Sequence, residues 1–361
     1  MHRRRTASLI GAGVVLALLL SVAPAAAWGG GGHHHRHHRD DAVVRLDGLS
    51  SPKALAVGGL FHLDVGQGFA GDPGPVLKYR TLWHGGARAV TEPLSLVDLA
   101  VARDGAKWLL GTDLELYRQS RWSKDIEPVL NLADYQAGDP DPDDQDGNPI
   151  ESNPFGLAAL GKRHALVVDA AGNDLIRVGK DGSAVTVARW TREDQSTAHL
   201  GDAQLPPTLP AEAVPTTVAI GPDGYAYVGQ LVGFPGTPGA AKIWRVNPWT
   251  ENAVCSLDRS VAKGCRPWKG GFTAIFDMAF NPWTGRLYVY ELAKDGFTAF
   301  EAGFETGDFP DAVLLQVSRH GRRELAKGEL SQPGGVVVTP FGRVFVTDGV
   351  FTEGRLLEIR H

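Results

Sequence analysis

The sequence is dominated by a unit of short β-strands that recurs six times. Each copy starts with an apolar strand that ends in a small turn, at residues 53–57, 96–101, 155–160, 216–220, 276–280 and 335–339. A second apolar strand and then a third, amphipathic strand follow in every copy. Strand repeats in a fixed order are typical of a β-propeller. The sequence therefore predicts an all-β fold, a six-bladed β-propeller.

The way the ring closes follows from a missing strand. A fourth strand is expected after the third in five units, at residues 87–91, 127–132, 184–189, 252–257 and 323–327. The sixth unit ends at His361 without one, whereas residues 42–46 near the other end of the chain form a spare strand. We expect this N-terminal strand to complete the last blade, because closure removes sheet edges that would pair with other chains.

The first residues have the pattern of an export signal. Three arginines at 3–5 precede an apolar run at 9–22, and Ala25-Ala26-Ala27 supplies a small-residue cleavage site. The alternative, a membrane anchor, requires roughly 20 apolar residues. We expect residues 1–27 to be a cleaved signal peptide, 28–41 a flexible tail rich in Gly and His, and 42–361 the propeller. The mature protein is then secreted, without a membrane span.

Composition excludes some functions. A net charge of −5 gives no electrostatic footprint for nucleic acid. The chain has 45 Gly and 23 Pro, which suits a turn-rich all-β domain. It contains no Gly-x-Ser-x-Gly, His-Glu-x-x-His or Walker pattern, so no recognised catalytic residues are predicted. We expect a monomer.

Two cysteines, Cys255 and Cys265, lie in one connector. In an exported chain such a pair predicts a local disulfide, the alternative being two unpaired thiols. Closing so short a loop stabilises by about 3 kcal/mol at most. The bridge is expected to restrain a loop rather than to hold the domain together.

Loop lengths favour one face of the ring for binding. The turns between first and second strands, and between third and fourth strands, are short, and they share one face of a propeller. The long connectors lie on the other face, at residues 65–75, 133–153, 190–214, 231–240, 258–272 and 293–311. Because binding residues concentrate on loops of a rigid scaffold, we expect a small molecule or a protein to bind on the long-loop face, around the channel. Long loops that have merely been tolerated are the alternative.

Polar residues end the second strands on that same face. They are Asp64, Asp113, Asp169, Gln230, Glu291 and Asp348. Such residues could form an acidic ring or hold a cation, or each could cap backbone N–H groups of its own turn. The candidates for the channel mouth, polar and aromatic together, are Asn153, Asp169, Gln230, Glu291, Asp348, Phe234, Phe297 and Phe300.

Three further segments have two interpretations each. The acidic stretch 139–148 is a solvated loop or, with Glu151, a calcium site that lacks EF-hand spacing. The histidines at 33–38 are expected to bind metals such as Zn only weakly. Phe297, Phe300 and Phe304 have helical spacing within 296–305, so they pack on the scaffold or form an apolar wall of a site.

One stretch of the chain resembles a known family. The residues are 151–157, 168–177, 214–220, 227–235 and 242–245, including Val-Gly-Gln-Leu-Val-Gly-Phe-Pro at 228–235. They are similar to the ScyD/ScyE family of secreted, NHL-like β-propellers. The resemblance implies six blades, export and no established catalytic residues, which suits a binding or scaffold module.

A broader resemblance is to secreted lactonase-type propellers, which hold a divalent metal at the channel mouth through Glu, Asn and Asp. The family's Glu opens the first blade, where this chain has Ser51-Pro-Lys53 instead. The nearest substitutes are Glu151, Asn153 and Asp169, which could hold a divalent cation, Ca or Zn. The resemblance thus implies an alternative function, a metal-assisted hydrolase or lactonase.

Overall fold

The chain folds into a β-propeller of six blades, as the strand repeats predict. The structure is a computed structural model, and it describes residues 41–82, 86–145 and 147–361. The predicted signal peptide and the predicted histidine tail lie outside the described residues. No helix in the described part is long and apolar enough to cross a membrane.

Each blade has four antiparallel strands, arranged in order outward from the central channel. The innermost strands are β2 (Leu55–Gly59), β6 (Leu96–Val101), β10 (Pro154–Leu160), β16 (Pro215–Ile220), β21 (Ile275–Phe280) and β25 (Pro333–Val338). The second strands are β3 (His62–Val65), β7 (Lys107–Gly111), β11 (His164–Asp169), β17 (Ala226–Gln230), β22 (Leu287–Glu291) and β26 (Val344–Asp348).

The two outer positions of each blade complete the sheets. The third strands are β4 (Leu77–Arg80), β8 (Glu115–Gln119), β12 (Asp174–Gly179), β18 (Ala241–Val246), β23 (Val313–Ser318) and β27 (Glu353–Ile359). The fourth strands are β5 (Arg88–Ala89), β9 (Ile126–Asn131), β13 (Ala184–Trp190), β20 (Cys265–Phe272), β24 (Gly321–Leu325) and, in the last blade, β1 (Ala42–Ser50).

The ring closes as the sequence predicts. β1 runs antiparallel to β27, with Ala42 opposite Ile359 and Ser50 opposite Glu353. The last blade therefore contains the first and the last strands of the propeller.

Apolar clusters fill the interfaces between blades. Between the last and first blades, for example, Leu49 and Leu63 pack with Phe345 and Leu356. Between the fifth and the sixth blades, Tyr290 and other buried side chains of the fifth blade pack against apolar side chains of the sixth. Every blade buries both faces of its inner strands against its neighbours. The hydrophobic core therefore runs around the ring, and it holds the innermost strands around the channel.

The fourth blade corrects one prediction. Residues 252–257 do not supply its outer strand, because β20 pairs with β18 there. Instead β19 (Ala253–Cys255) runs parallel to β13, as a fifth strand of the third blade. There Ala253 and Cys255 are buried in the cluster that the third and fourth blades share, so burial decides which sheet this strand joins.

The disulfide between Cys255 and Cys265 is confirmed. The expectation that it restrains only a loop was wrong, because Cys255 ends β19 in the third blade and Cys265 begins β20 in the fourth. The bridge thus joins the outer strands of two neighbouring blades.

Replacing both cysteines by serine is expected to lower the free energy of unfolding by about 2–3 kcal/mol, because the unfolded chain is no longer cross-linked. Guanidinium denaturation of the oxidised protein measures the change. Reducing the wild-type protein should produce the same loss. Two free thiols in unreduced protein from the medium, found by mass spectrometry, would contradict the pairing.

The remaining elements lie outside the blades. They are a hairpin of β14 (Glu193–Ser196) and β15 (Thr208–Ala211), a short 3₁₀ turn at Ala198–Leu200, and the helices α1 (Leu132–Gly138) and α2 (Phe297–Thr306). We call the end of the ring that carries these segments the loop face. The opposite end, with the turns between first and second and between third and fourth strands, is the turn face.

Candidate functional site: the central channel

Most of the polar residues predicted at the channel mouth accept hydrogen bonds from nearby backbone groups and so hold the adjoining turns in place. In the third blade, Asp169 Oδ1 accepts the backbone N–H of Asn153 at 2.7 Å and that of Gly172 at 3.0 Å. The Ser152 hydroxyl donates to Asp169 Oδ2 at 2.6 Å. Burial raises the pKa of Asp169, and these hydrogen bonds oppose the rise. The geometry matches the capping interpretation rather than an acidic ring.

Two equivalent residues of other blades also cap backbone N–H groups, and a third accepts a side-chain N–H. Glu291 accepts the backbone N–H of Thr273 at 2.8 Å, and Asp348 accepts that of Ser331 at 3.0 Å. Gln230 accepts the indole N–H of Trp244. Burial raises the pKa of Glu291 to about 7. Asn153, Asp169, Gln230, Glu291 and Asp348 are all buried, so none presents its side chain freely at the surface.

Two of the predicted equivalents are off register. Gly111, not Asp113, lies opposite the start of β6, and Asp113 is exposed and accepts the Tyr117 hydroxyl at 2.5 Å. In the first blade the capping residue is Gln67, which accepts the backbone N–H of Ser50 at 3.0 Å, whereas Asp64 lies within β3. The sequence alignment of the repeats was therefore wrong at these two positions.

Side chains of the acidic segment 139–148 form ion pairs and hydrogen bonds with residues of the third blade and of the connector after it. Asp146 lies outside the described residues. Asp139 pairs with Arg189, and Asp141 accepts the Asn173 amide at 3.1 Å. Asp143 pairs with Arg192 at 2.9 Å. Among the described residues, no three His, Cys, Asp or Glu side chains are grouped to hold a metal ion. A cation at Glu151, Asn153 and Asp169 stays a prediction.

Aromatic side chains close the channel at the loop face. Phe297 and Phe300 are on the buried side of α2. The centroid of the Phe300 ring lies 5.7 Å from that of Phe351. Phe351 in turn packs on Phe69, with ring centroids 5.9 Å apart. Phe234 is 39% exposed on the same face. The predicted helix at 296–305 is thus a lid on the channel, and its phenylalanines pack on the scaffold.

A buried lysine lies directly under this lid. Lys53 is 5% exposed, and its ammonium donates to the backbone oxygens of Phe155 at 2.8 Å and Val97 at 3.2 Å. Its Nζ is 4.1 Å from the centroid of the Phe155 ring, 5.4 Å from Phe276 and 5.7 Å from Phe69. Three rings therefore surround the cation, an arrangement in which the ring faces attract it.

Two aspartates face the channel next to this lysine. Asp98 lies on β6 and Asp277 on β21, in the second and fifth blades, which are opposite each other in a ring of six. Asp98 accepts the backbone N–H of Leu157 at 2.7 Å, and Asp277 that of Val336 at 2.7 Å. Each carboxylate thus bridges to the next blade, and both remain half-buried along the channel.

The three groups shift one another's protonation. Burial raises the pKa of Asp98 to about 7, although the Lys53 ammonium opposes the rise and the Asp277 charge adds to it. Burial also raises the pKa of Asp277. The pKa of Lys53 is lowered by burial, against the pull of both carboxylates. When all three groups are ionised, one ammonium compensates two carboxylates, so the site carries a net negative charge.

A cavity of about 270 Å³ extends from these aspartates toward the turn face. The residues that line it are mostly apolar and come from the innermost strands of the blades, including Val101, Phe280 and Val338 close to the turns, but more of the surface they expose to the cavity is polar than apolar. The sequence predicted binding at the other end of the ring, so a cavity at this end was not expected. Short turns leave the channel uncovered here, whereas the long loops fold over its other end. The cavity therefore has two carboxyl groups at its floor and opens toward the turn face.

Sequence reasoning missed this site, although a signal was present. Lys53, Asp98 and Asp277 are ionisable residues inside innermost strands that are otherwise apolar. Lys53 was noted only as a departure from the lactonase pattern. Charged groups are seldom fully buried without a partner or a function, so three such residues at neighbouring repeat positions could have indicated the channel.

Comparison with known proteins supports the fold. No protein-family model and no curated protein matches the chain. The soluble aldose sugar dehydrogenase of Escherichia coli matches with a TM-score of 0.52 and 16% identity, over 88% of this chain and 98% of that one. A Bacteroides thetaiotaomicron protein of unknown function matches with a TM-score of 0.55 and 10% identity, over 88% of this chain and 76% of that one.

A putative oxidoreductase of the glucose dehydrogenase type from Thermus thermophilus gives a TM-score of 0.51 and 16% identity, over 88% of this chain and 99% of that one. At such identities the likeness shows the β-propeller fold alone. Membership of the ScyD/ScyE family stays a prediction.

Proposed function

We propose that this protein is an exported binding propeller that holds a small organic cation in the turn-face half of its channel. The observation that carries the proposal is the pair of carboxyl groups, Asp98 and Asp277, at the floor of a cavity in the channel. The disulfide and the N-terminal export pattern support a location outside the cytoplasm.

The charges at the floor favour a cation. One ammonium faces two carboxylates, and the Lys53 ammonium already donates to two backbone oxygens. A second positive charge, brought by a ligand, would balance the ionised pair. Each aspartate uses its hydrogen bonds to fix its carboxyl group on the channel wall, so the carboxyl groups are held in place before a ligand arrives, which lowers the entropic cost of binding.

The size of the cavity limits the rest of the ligand. A cavity of about 270 Å³ takes a small molecule, and residues such as Leu99, Val218 and Val336 line it. The charged group of the ligand therefore lies between the aspartates, and the rest of the molecule extends toward the turn face. The metal-assisted hydrolase stays an alternative prediction that rests on Glu151, Asn153 and Asp169.

The test uses n-hexyltrimethylammonium, whose charge does not depend on pH, and 1-hexanol as its neutral counterpart. Isothermal titration at pH 8 should show binding of the cation, and Asp277→Asn should weaken it at least about tenfold, equivalent to about 1.4 kcal/mol. The matched control is Asp223→Asn, which removes an acidic charge that pairs with Arg245 on the turn face, outside the cavity.

Binding should also depend on pH. Because the pKa of Asp98 is raised to about 7, this group is protonated at pH 5.5 and ionised at pH 8.5. The dissociation constant for the cation is expected to fall several-fold across this range, and Asp98→Asn should abolish most of that dependence. Equal affinity for hexanol and for the cation, or a dissociation constant that does not vary with pH, would refute the proposal.

A further inference from the structure

Exposed apolar side chains concentrate on the turn face. Twelve large apolar side chains in the described part of the chain are exposed. Seven of them lie in turns of this face: Leu60, Phe61, Leu82, Trp122, Trp249, Trp283 and Phe341. Trp122 is 84% exposed, Trp283 77% and Phe341 60%. Large exposed aromatic groups gathered on one surface mark an interaction site.

Contacts between the turns place these side chains at one level. The rings of Phe61 and Phe341, from the first and last blades, stack with centroids 5.3 Å apart. The Trp283 indole of the fifth blade donates to the backbone oxygen of Pro340 at 2.5 Å. Trp249 lies edge-on to His164 of the third blade, 5.2 Å away. The aromatic groups therefore form part of one continuous end surface rather than separate projections.

Basic residues share this surface. Eight described lysine and arginine side chains in the turns are exposed: Arg103, Arg121, Lys124, Lys162, Arg163, Lys180, Arg286 and Arg319. Three acidic turn residues are paired with arginines of third strands, namely Asp104 with Arg118, Asp223 with Arg245 and Glu251 with Arg177. Asp125 and Asp181 are exposed in turns as well, but the exposed basic residues outnumber them. The turn face is therefore basic in a chain whose net charge is −5.

We propose that the turn face docks on an anionic lipid surface. Indole and phenyl groups favour the boundary between lipid head groups and acyl chains, and lysine and arginine beside them are attracted to anionic head groups. Short turns at one level suit a planar surface. The acidic segment 139–148 lies on the opposite, loop face, so electrostatics would orient the ring with its turns toward the lipid.

This proposal is independent of the channel ligand. It concerns the rim and the outer turns, whereas the ligand proposal concerns Asp98 and Asp277 at the floor. Failure of one leaves the other intact, because the two sets of residues can be changed separately. If both hold, the open end of the channel faces the lipid.

The experiment is flotation of the exported chain with vesicles of phosphatidylcholine containing about one third phosphatidylglycerol, compared with pure phosphatidylcholine. We expect binding to the anionic vesicles only, weakened by added salt. The double substitution Trp283→Ala, Phe341→Ala should reduce the partition coefficient at least tenfold, and so should Lys162→Glu with Arg163→Glu. The matched control is Phe234→Ala, an exposed phenylalanine on the loop face, which should bind as the wild type does.

The variants should melt as the wild type does, since the substituted side chains are exposed. Equal flotation with both vesicle types, or an equal loss in the Phe234→Ala control, would overturn the proposal. A soluble polyanion, dextran sulfate, separates lipid from other anionic partners. If it binds as tightly as the vesicles do and the aromatic double substitution has no effect on either, the partner is an anionic polymer and the lipid proposal fails.

Discussion

Deletion of residues 40–50 is expected to lower the midpoint of thermal unfolding by at least about 10 °C or to abolish cooperative unfolding. These residues include β1, which completes the last blade by pairing along β27. The deletion removes the buried Leu49 from the interface between the last and first blades. It also removes Arg45, which pairs with Glu358. In large single domains a loss of 1 kcal/mol in the free energy of unfolding lowers the midpoint by about 2–4 °C. The loss of a whole strand is expected to cost several times that free energy.

The matched control is a deletion of residues 28–39, which keeps β1. Differential scanning calorimetry of the two truncated proteins and the mature chain makes the comparison. The deletion also exposes the edge of β27, so we expect the shortened protein to self-associate. If it melts with the mature chain, ring closure by β1 does not stabilise the propeller.

Substitution of Lys53 by methionine is expected to lower the free energy of unfolding at pH 8 by about 3–5 kcal/mol. Methionine keeps most of the aliphatic stem but removes the charge that compensates Asp98 and Asp277. Breaking a buried charge arrangement by removing one partner costs this much, because the remaining charges are left uncompensated. Urea denaturation measures the loss, and Lys180→Met, at an exposed position, is the control.

The loss should depend on pH in a defined direction. The pKa of Asp98 is raised in the folded state to about 7, above its usual value, so its contribution to stability is present at low pH and is lost as pH rises to 7. Without Lys53 the pKa values of both aspartates rise further. The deficit of Lys53→Met is therefore expected to be larger at pH 8 than at pH 5, and Asp98→Asn added to it should restore part of the stability at pH 8. A deficit that is the same at both pH values would show that packing, not charge, is lost.

Local sequence was sufficient for features that repeat or that depend on neighbours along the chain. The strand order within a blade follows from alternating apolar and polar residues and from turn residues, and the missing sixth outer strand identified the N-terminal residues as its replacement. The disulfide between Cys255 and Cys265 followed because the chain, which is predicted to be exported, has only these two cysteines and they lie close together. The helix that contains Phe297 and Phe300 was predicted from the helical spacing of its phenylalanines.

Side chains that converge from distant repeats could not be found in this way. The loop lengths suggested an open channel mouth on the loop face, but length does not say whether a loop surrounds a cavity or covers it. Phe69, Phe300 and Phe351 come from three separate connectors and meet over Lys53. The strand at 252–257 was misplaced for the same reason, since two neighbouring blades compete for it and burial decides.

The sequence by itself determined the six blades, the closure of the ring and the disulfide, because each rests on local periodicity or on counting. Only the tertiary structure decided which end of the channel is closed, which blade receives β19, and that Lys53, Asp98 and Asp277 meet at the channel axis. Those outcomes depend on contacts between residues that are far apart in the chain, where packing and the cost of burying charge select one arrangement among several that the local pattern allows.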